Sequence, residues 1–169
     1  MSQITVIMGS KSDLPIVKSA FDVFHEFGID FSARILSAHR TPDEVIEVAK
    51  DAEKNGTRIF ICAAGMAAHL GGVIAAHTIC PVIGIPISSP PFNALDSLLS
   101  IVQMPPGIPV AAVTAGNAGG KNAALLAIEM LAIGNESLSR KLKDFRRKQA
   151  QKVIDDDKNL QQDLIKQIL

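Results

Sequence analysis

Five short apolar runs, each followed by a polar or glycine-rich connection and then a segment of helical spacing, constrain this chain more than any other feature. The runs are Ile4 to Met8, Ile29 to Leu36, Arg58 to Ala63, Pro81 to Pro86 and Ile108 to Val113. Rich in Ile and Val, they suit a pleated sheet, and the continuous ones suit strands covered on both faces. Between them, Leu14, Val17, Phe21, Phe24 and Phe27 recur at helical spacing until Gly28. Further helices are expected from Pro42 to about Asn55, from the Ala64–Gly72 stretch to near His77, from Ala94 to Val102 and from Asn122 to Ile133. Strands alternating with helices predict a three-layer αβα fold around a five-stranded parallel sheet, here with the order 2-1-3-4-5. The core is expected to end at residue 134. Residues 135–169 lack Gly and Pro and read as a long C-terminal helical extension.

That extension carries an imperfect apolar stripe of Leu138, Leu142, Phe145, Val153, Ile154, Leu160, Leu164, Ile165 and Ile168. A helix added to a closed core must bury such a stripe, and a neighbouring subunit is the natural place. Its basic run, Arg140 to Lys148, is expected to be answered by Asp155, Asp156 and Asp157 and to form a solvated face.

In a parallel sheet every strand-to-helix connection falls on the carboxyl edge, where ligands bind. Those connections bring Ser10, Ser12 and Asp13; Ser37, His39 and Arg40; Gly65, Ala67, Ala68 and His69; Ser88 and Ser89; and Gly116 to Gly119. Ser12 or Asp13 is expected to cap the first helix. Thr41-Pro42-Asp43-Glu44 reads as a capping box with proline at the first helical position, which puts His39 and Arg40 at the tip of a loop. Hydroxyls, an arginine and helix starts suit a phosphate, and Asp13 suits ribose hydroxyls. His69 either meets a ligand or satisfies a backbone group, and its loop position favours the ligand. His25 and His77 lie on helix bodies and read as structural.

Composition removes several classes. Lys+Arg and Asp+Glu number 17 each, which gives no support for a nucleic-acid or membrane partner. Cys62 and Cys80 form no Cys-x-x-Cys, so neither a zinc site nor a disulfide scaffold is expected, and both read as small hydrophobes in a reducing cytosol. The start Met1-Ser2-Gln3-Ile4-Thr5-Val6 lacks the pattern of a signal peptide, and a cytoplasmic location is expected. Gly9-Ser10-Lys11-Ser12-Asp13 is not Gly-x-Gly-x-x-Gly. Gly119-Gly120-Lys121-Asn122 imitates a Walker loop but has Ala115 for its first glycine and no magnesium-binding hydroxyl.

Taken in order, Gly9-Ser10-x-Ser12-Asp13, Ser37-Ala38-His39-Arg40-Thr41-Pro42, Ala67-Ala68-His69-Leu70, the run Asp96 to Pro105 and Asn122 to Ala127 resemble the 5-(carboxyamino)imidazole ribonucleotide mutase family of purine biosynthesis. The resemblance spans roughly residues 4 to 155. It implies a flavodoxin-like homo-octamer without metal or organic cofactor, acting on the carbamate of an aminoimidazole ribonucleotide. It also implies that Ser10, Asp13 and Arg40 bind substrate, that Ser12 and Ser37 help with the phosphate, and that His39 is the general acid/base. Gly65, Ala67, His69 and Leu70 join the substrate-binding set through the third loop. A sibling family that carboxylates with carbon dioxide has Lys after the matching His and lacks Ala-Ala-His-Leu, so Arg40 and His69 favour the mutase. Met66 stands where the family has Gly, Gly71 where it has Pro and Ala63 where it has Gly; Thr114, Asn117 and Lys121 also depart from its pattern.

The implied chemistry needs the released carbon dioxide held against a ring carbon and one proton moved. Proximity lowers such a barrier by about 7 kcal/mol in good cases. Small apolar residues (Ala64, Gly65, Ala67, Ala68, Leu70) suit a dry pocket for an uncharged molecule. Two readings of another class compete. A signalling receiver needs acidic residues after the first strand, and Met8-Gly9-Ser10 has none; a flavin carrier commonly stacks its ring on Trp or Tyr, and the chain has neither. A catalytically silent relative is the third alternative, and the intact Ser10, Asp13, His39 and Arg40 speak against it.

Overall fold

The computed structural model describes residues 2–168, with side chains through Lys166. In chain order it holds β1 (Ile4–Met8), α1 (Leu14–Phe27), β2 (Phe31–Ile35), α2 (Pro42–Lys50), β3 (Ile59–Gly65), α3 (Leu70–Ala75), β4 (Val82–Ile87), α4 (Leu95–Val102), β5 (Ala111–Ala112), α5 (Asn117–Ala132) and α6 (Glu136–Ile168). The sheet order is β2-β1-β3-β4-β5, and every pairing is parallel, as the alternation of elements predicts. Contacts group the chain into two units, one ending at Ala127 and the other beginning at Ile128.

In the first unit, β1, β3 and β4 are buried along nearly their whole length, which explains their unbroken apolar runs. Side chains alternate across the sheet. On one side Ile7, Phe60, Cys62 and Val82 join Val45 and Ala49 of α2, Leu70 and Ile74 of α3 and Ile101 of α4 in one core cluster. Edge strand β2 keeps only its start covered, where the Phe31 ring stacks on Phe21 at 4.8 Å between ring centres. His25 meets the same ring edge-on, and the His77 Nδ1 lies 2.8 Å from the Val73 carbonyl, so both sit in structural contacts.

Four boundaries differ from expectation, each for a local reason. The first helix is entered through a 3-10 turn, Lys11–Asp13, capped by Ser10 rather than by Ser12 or Asp13. Helix α2 stops at Lys50, and overlapping turns continue to Gly56, which adopts the left-handed conformation at φ 77°. Strand β5 is only two residues long. Pro109 has no N–H for a ladder, and the Ile108 N–H closes a turn on the Pro105 carbonyl. Helix α5 begins at Asn117, so Gly119 and Gly120 are helical packing positions and not loop. A Cβ on Gly120 would collide with the Ile16 carbonyl, and one on Gly119 with the Thr114 carbonyl.

In the second unit, α6 is one unbroken helix of 33 residues whose start is capped by Asn135; its side-chain oxygen accepts from the Leu138 N–H at 3.1 Å. Of the expected apolar stripe, Leu138 and Leu142 are buried while Val153, Ile154, Leu160, Leu164 and Ile165 are exposed. Ile168 lies outside the described side chains. Within α6 the basic run is answered by nearer acids than expected, Arg140 by Glu136 and Arg147 by Asp144, while Arg146 pairs with Glu129, 17 positions earlier on α5. Three or four residues is the reach of a helical ion pair, and the Asp155–Asp157 triplet lies beyond it for these arginines. No helix among the described residues is long and apolar enough to cross a membrane.

Candidate active site

Strand β1 ends at Met8, and the chain turns at once through Gly9 and Ser10. The Ser10 N–H donates to Asp13 Oδ2 at 3.1 Å, and the Ser12 hydroxyl donates to Asp13 Oδ1 at 3.2 Å and to Ser10 Oγ at 2.9 Å. Ser10 and Asp13 thus form a capping box, and Asp13 as a residue is only 6% exposed. Burial raises the Asp13 pKa above its ordinary 3.8; the Ser12 hydroxyl, the Ser10 amide and the Arg40 charge oppose the shift. A carboxylate kept at such a cost is a candidate handle for a ligand hydroxyl.

The second loop is locked from within. Thr41 Oγ1 accepts from the Ser37 N–H at 2.9 Å and donates to the Ser37 carbonyl at 3.2 Å. The expected Thr41 capping box is therefore not formed, since the hydroxyl that would cap α2 is spent on Ser37. In return Ser37 Oγ accepts from the Arg40 N–H at 3.3 Å. Arg40 reaches across to the first loop, where its guanidinium donates to the Gly9 carbonyl at 2.8 Å.

The third loop is reached by His39, whose Nε2 lies 2.9 Å from Nδ1 of His69, the rings meeting edge to face. At that distance one nitrogen carries the hydrogen and the other accepts it, so the pair holds a single proton between its rings. His69 ends the loop just ahead of α3, with its N–H on the Ala67 carbonyl at 2.8 Å. Both imidazoles are exposed.

Ser10, Ser12, Asp13, Ser37, Arg40, His39 and His69 are thus linked across three loops. Gly65 sits half-buried at the end of β3, opposite Ile87, and Ala67 is exposed. Leu70 points elsewhere: it is 2% exposed in the core cluster, so its side chain anchors α3 beneath the loop. Ser88 is exposed and Ser89 half-buried. In the last loop, the Asn117 carbonyl accepts from the Ser19 hydroxyl, which ties it to α1. Cys62 lies in the core, where burial pushes its thiol up to about 12. Among the described residues no group of three or more His, Cys, Asp and Glu stands close enough to hold a metal ion.

Sequence reasoning passed over the Gly9 carbonyl that anchors Arg40 and the Thr41 hydroxyl that braces Ser37. It had a signal only for the Ser10-x-x-Asp13 box, whose spacing is that of a capping box.

A flavodoxin-like parallel sheet with serines, one buried aspartate, an arginine and a histidine pair on its carboxyl edge is the framework of a small-molecule enzyme. The chain belongs to the AIR carboxylase family, whose pattern it matches over residues 3–152. It is 54% identical to the N5-carboxyaminoimidazole ribonucleotide mutase of Pyrococcus abyssi over 86% of this chain and 83% of that one. Identity to the proteins of the same name is 47% in Thermotoga maritima, over 96% and 94% of the two chains, and 44% in Escherichia coli, over 91% of each. The fold also superposes on the crystal structure of Treponema denticola PurE with a TM-score of 0.84 and 31% identity, covering 93% of this chain and 97% of that one.

Proposed function

We propose that this protein is an N5-carboxyaminoimidazole ribonucleotide mutase, an isomerase of purine biosynthesis. It moves a carboxylate from the exocyclic nitrogen to a ring carbon of the bound nucleotide. The observation that carries the reading is the His39–His69 contact beside Arg40, in three loops that share one sheet edge. Relatives 44–54% identical that bear this name support it.

In this mechanism Arg40, Ser12 and Ser37 take the phosphate, while Asp13 with Ser10 takes ribose hydroxyls. Protonated His39 gives its proton to the exocyclic nitrogen as the carbamate C–N bond breaks, which releases carbon dioxide and the neutral amine. The ring carbon then attacks carbon dioxide and forms the new C–C bond. His39 recovers the proton that this carbon loses as the ring regains aromaticity, so the proton is lent and returned. His69 accepts from His39 and fixes which nitrogen faces the nucleotide. Gly65, Ala67 and the neighbouring alanines keep water from the gas. The enzyme works in the cytoplasm as a homo-oligomer, in the octameric form that the resemblance implies. In that assembly residues 135–169 cover the exposed stripe of α6 on a neighbouring subunit.

The family's description carries a second reading, direct carboxylation of the aminoimidazole ribonucleotide by carbon dioxide. Supplying each nucleotide separately to the purified protein separates the two. Conversion of the carbamate without added bicarbonate is expected. Product formed only from the uncarboxylated nucleotide and bicarbonate would replace the mutase with the carboxylase.

A further inference from the structure

Ser89 Oγ is the buried side-chain oxygen among the described residues that has no hydrogen-bond partner. A hydroxyl withdrawn from water and left unpaired is destabilising, and in native proteins such a group asks for a reason. Its place supplies one. Ser89 lies two residues past Ile87, the last residue of β4, and Ile87 pairs with Gly65 at the end of β3. Its Oγ stands 3.5 Å from where a Gly65 Cβ would be, so the hydroxyl lies against the glycine that opens the third loop. The Ile87 carbonyl, which borders the same Gly65 position, accepts from the Ser97 hydroxyl at 3.0 Å. The Ser89 carbonyl takes the Asn93 N–H at 3.0 Å, which closes the loop on itself and keeps the side chain in place.

We propose that the Ser89 hydroxyl donates a hydrogen bond to an oxygen of the migrating carboxyl group, and so retains carbon dioxide between its departure from nitrogen and its attachment to carbon. The inference rests on the mutase reading and adds a residue to it. The alanines beside Gly65 in the chain, Ala64, Ala67 and Ala68, are small and apolar, and give the gas no direction. One donor with no competing partner supplies direction without offering a nucleophile to the wrong atom. Ser89 itself makes and breaks no covalent bond, and the proton traffic stays with His39.

The experiment uses the full chain, the carbamate nucleotide and carbon-13 bicarbonate in solution, with Ser89→Ala and Ser89→Thr beside the parent. The readouts are turnover, the share of product carrying solvent label, and the thermal midpoint. In Ser89→Ala we expect turnover to fall about tenfold, as for one lost hydrogen bond at 1.4 kcal/mol per decade. The solvent-labelled share should rise severalfold, because the gas escapes and is replaced from solution. The midpoint should stay level or rise, since an unpaired hydroxyl has been removed. Ser89→Thr, which keeps a hydroxyl, should restore low labelling. An unchanged label share in Ser89→Ala overturns the proposal, and a lowered midpoint with unchanged labelling identifies the serine as structural only. A parent protein that leaves the carbamate unconverted sinks the mutase reading itself, and this inference falls with it.

Discussion

The first two loops on the carboxyl edge and the next two are built on opposite terms. After β1 and β2 the chain spends its polar atoms on itself: Ser10 and Ser12 on Asp13, Thr41 on Ser37, Arg40 on Gly9. After β3 and β4 the loops close on themselves through backbone groups, Asn93 on Ser89 and His69 on Ala67, and not through side chains. Met66, Asn93 and Ala94, the non-glycine residues with positive φ among those described, all lie there, and so does the unpaired Ser89. A left-handed backbone costs an ordinary residue about 1–2 kcal/mol, less for Asn. The proposed binding handles are thus held in place by their own hydrogen bonds, and the backbone strain is concentrated where the migrating group would be handled. Strain of this kind persists only where the surrounding structure holds it, and it gathers at working sites.

The sharpest way to break this contrast is His39→Ala. If the second loop is a finished device rather than a structural brace, the variant keeps its fold and its affinity for the nucleotide. Turnover should fall by about 10²–10⁴, the usual worth of general acid/base help. Circular dichroism and single-turnover kinetics check both halves. Near-normal turnover would remove His39 from the chemistry. Arg40→Ala comes next. It loses the proposed charged donor to phosphate together with the bond to Gly9, so KM should rise about ten- to a hundredfold with kcat much less affected. A loss in kcat alone would place Arg40 with the chemistry instead.

Asp13 sharpens the same comparison through pH. Its pKa in the folded chain is raised by burial, so the fold favours the protonated acid. The stability this contributes is fully present below 3.8 and is lost as pH rises through the raised value. Asp13→Asn avoids the buried charge and keeps an acceptor for the Ser10 N–H. Its melting midpoint should therefore exceed the parent's near neutrality, and the gap should close in acid. Nucleotide affinity should fall at every pH. A midpoint that drops at neutral pH would show the carboxylate to be a structural brace, and the first loop would then differ from this account.

What could be read from the sequence follows from the range of each interaction. The strand runs were legible because burial and turn chemistry act locally, as Ile4 to Met8 and Gly28 show, while their order in the sheet followed from a topology common among five-stranded parallel sheets. The start of α5 was not, because Gly119 and Gly120 look like a loop until the Ile16 and Thr114 carbonyls packed against them are known. Thr41 fits a capping box on paper, yet its hydroxyl has a better use on Ser37. The loops that hold the site residues were legible, but the contact between His39 and His69 was not, since thirty positions separate the two. Leu70 belonged by spacing to the third loop, and its burial in the core depends on α3 packing that no local pattern announces.

The smallest expected effect tests the strained half of the comparison directly. Met66 stands at φ 56° with 62% of its surface exposed, so its own side chain is not what holds the backbone there, whereas Ala94, at φ 75°, is buried at the start of α4. Glycine relieves the left-handed strain at either position but loses more freedom on folding, so each change should gain no more than about 1 kcal/mol. The two should part in function. Met66→Gly removes an apolar side chain between Gly65 and Ala67 and should shift KM for the nucleotide severalfold, while Ala94→Gly should leave kinetics alone. Paired denaturant melts and initial rates decide the matter. If both variants gain stability and neither moves KM, the strain in the third loop serves the fold and not the ligand, and the contrast between the two halves of the edge reduces to backbone geometry.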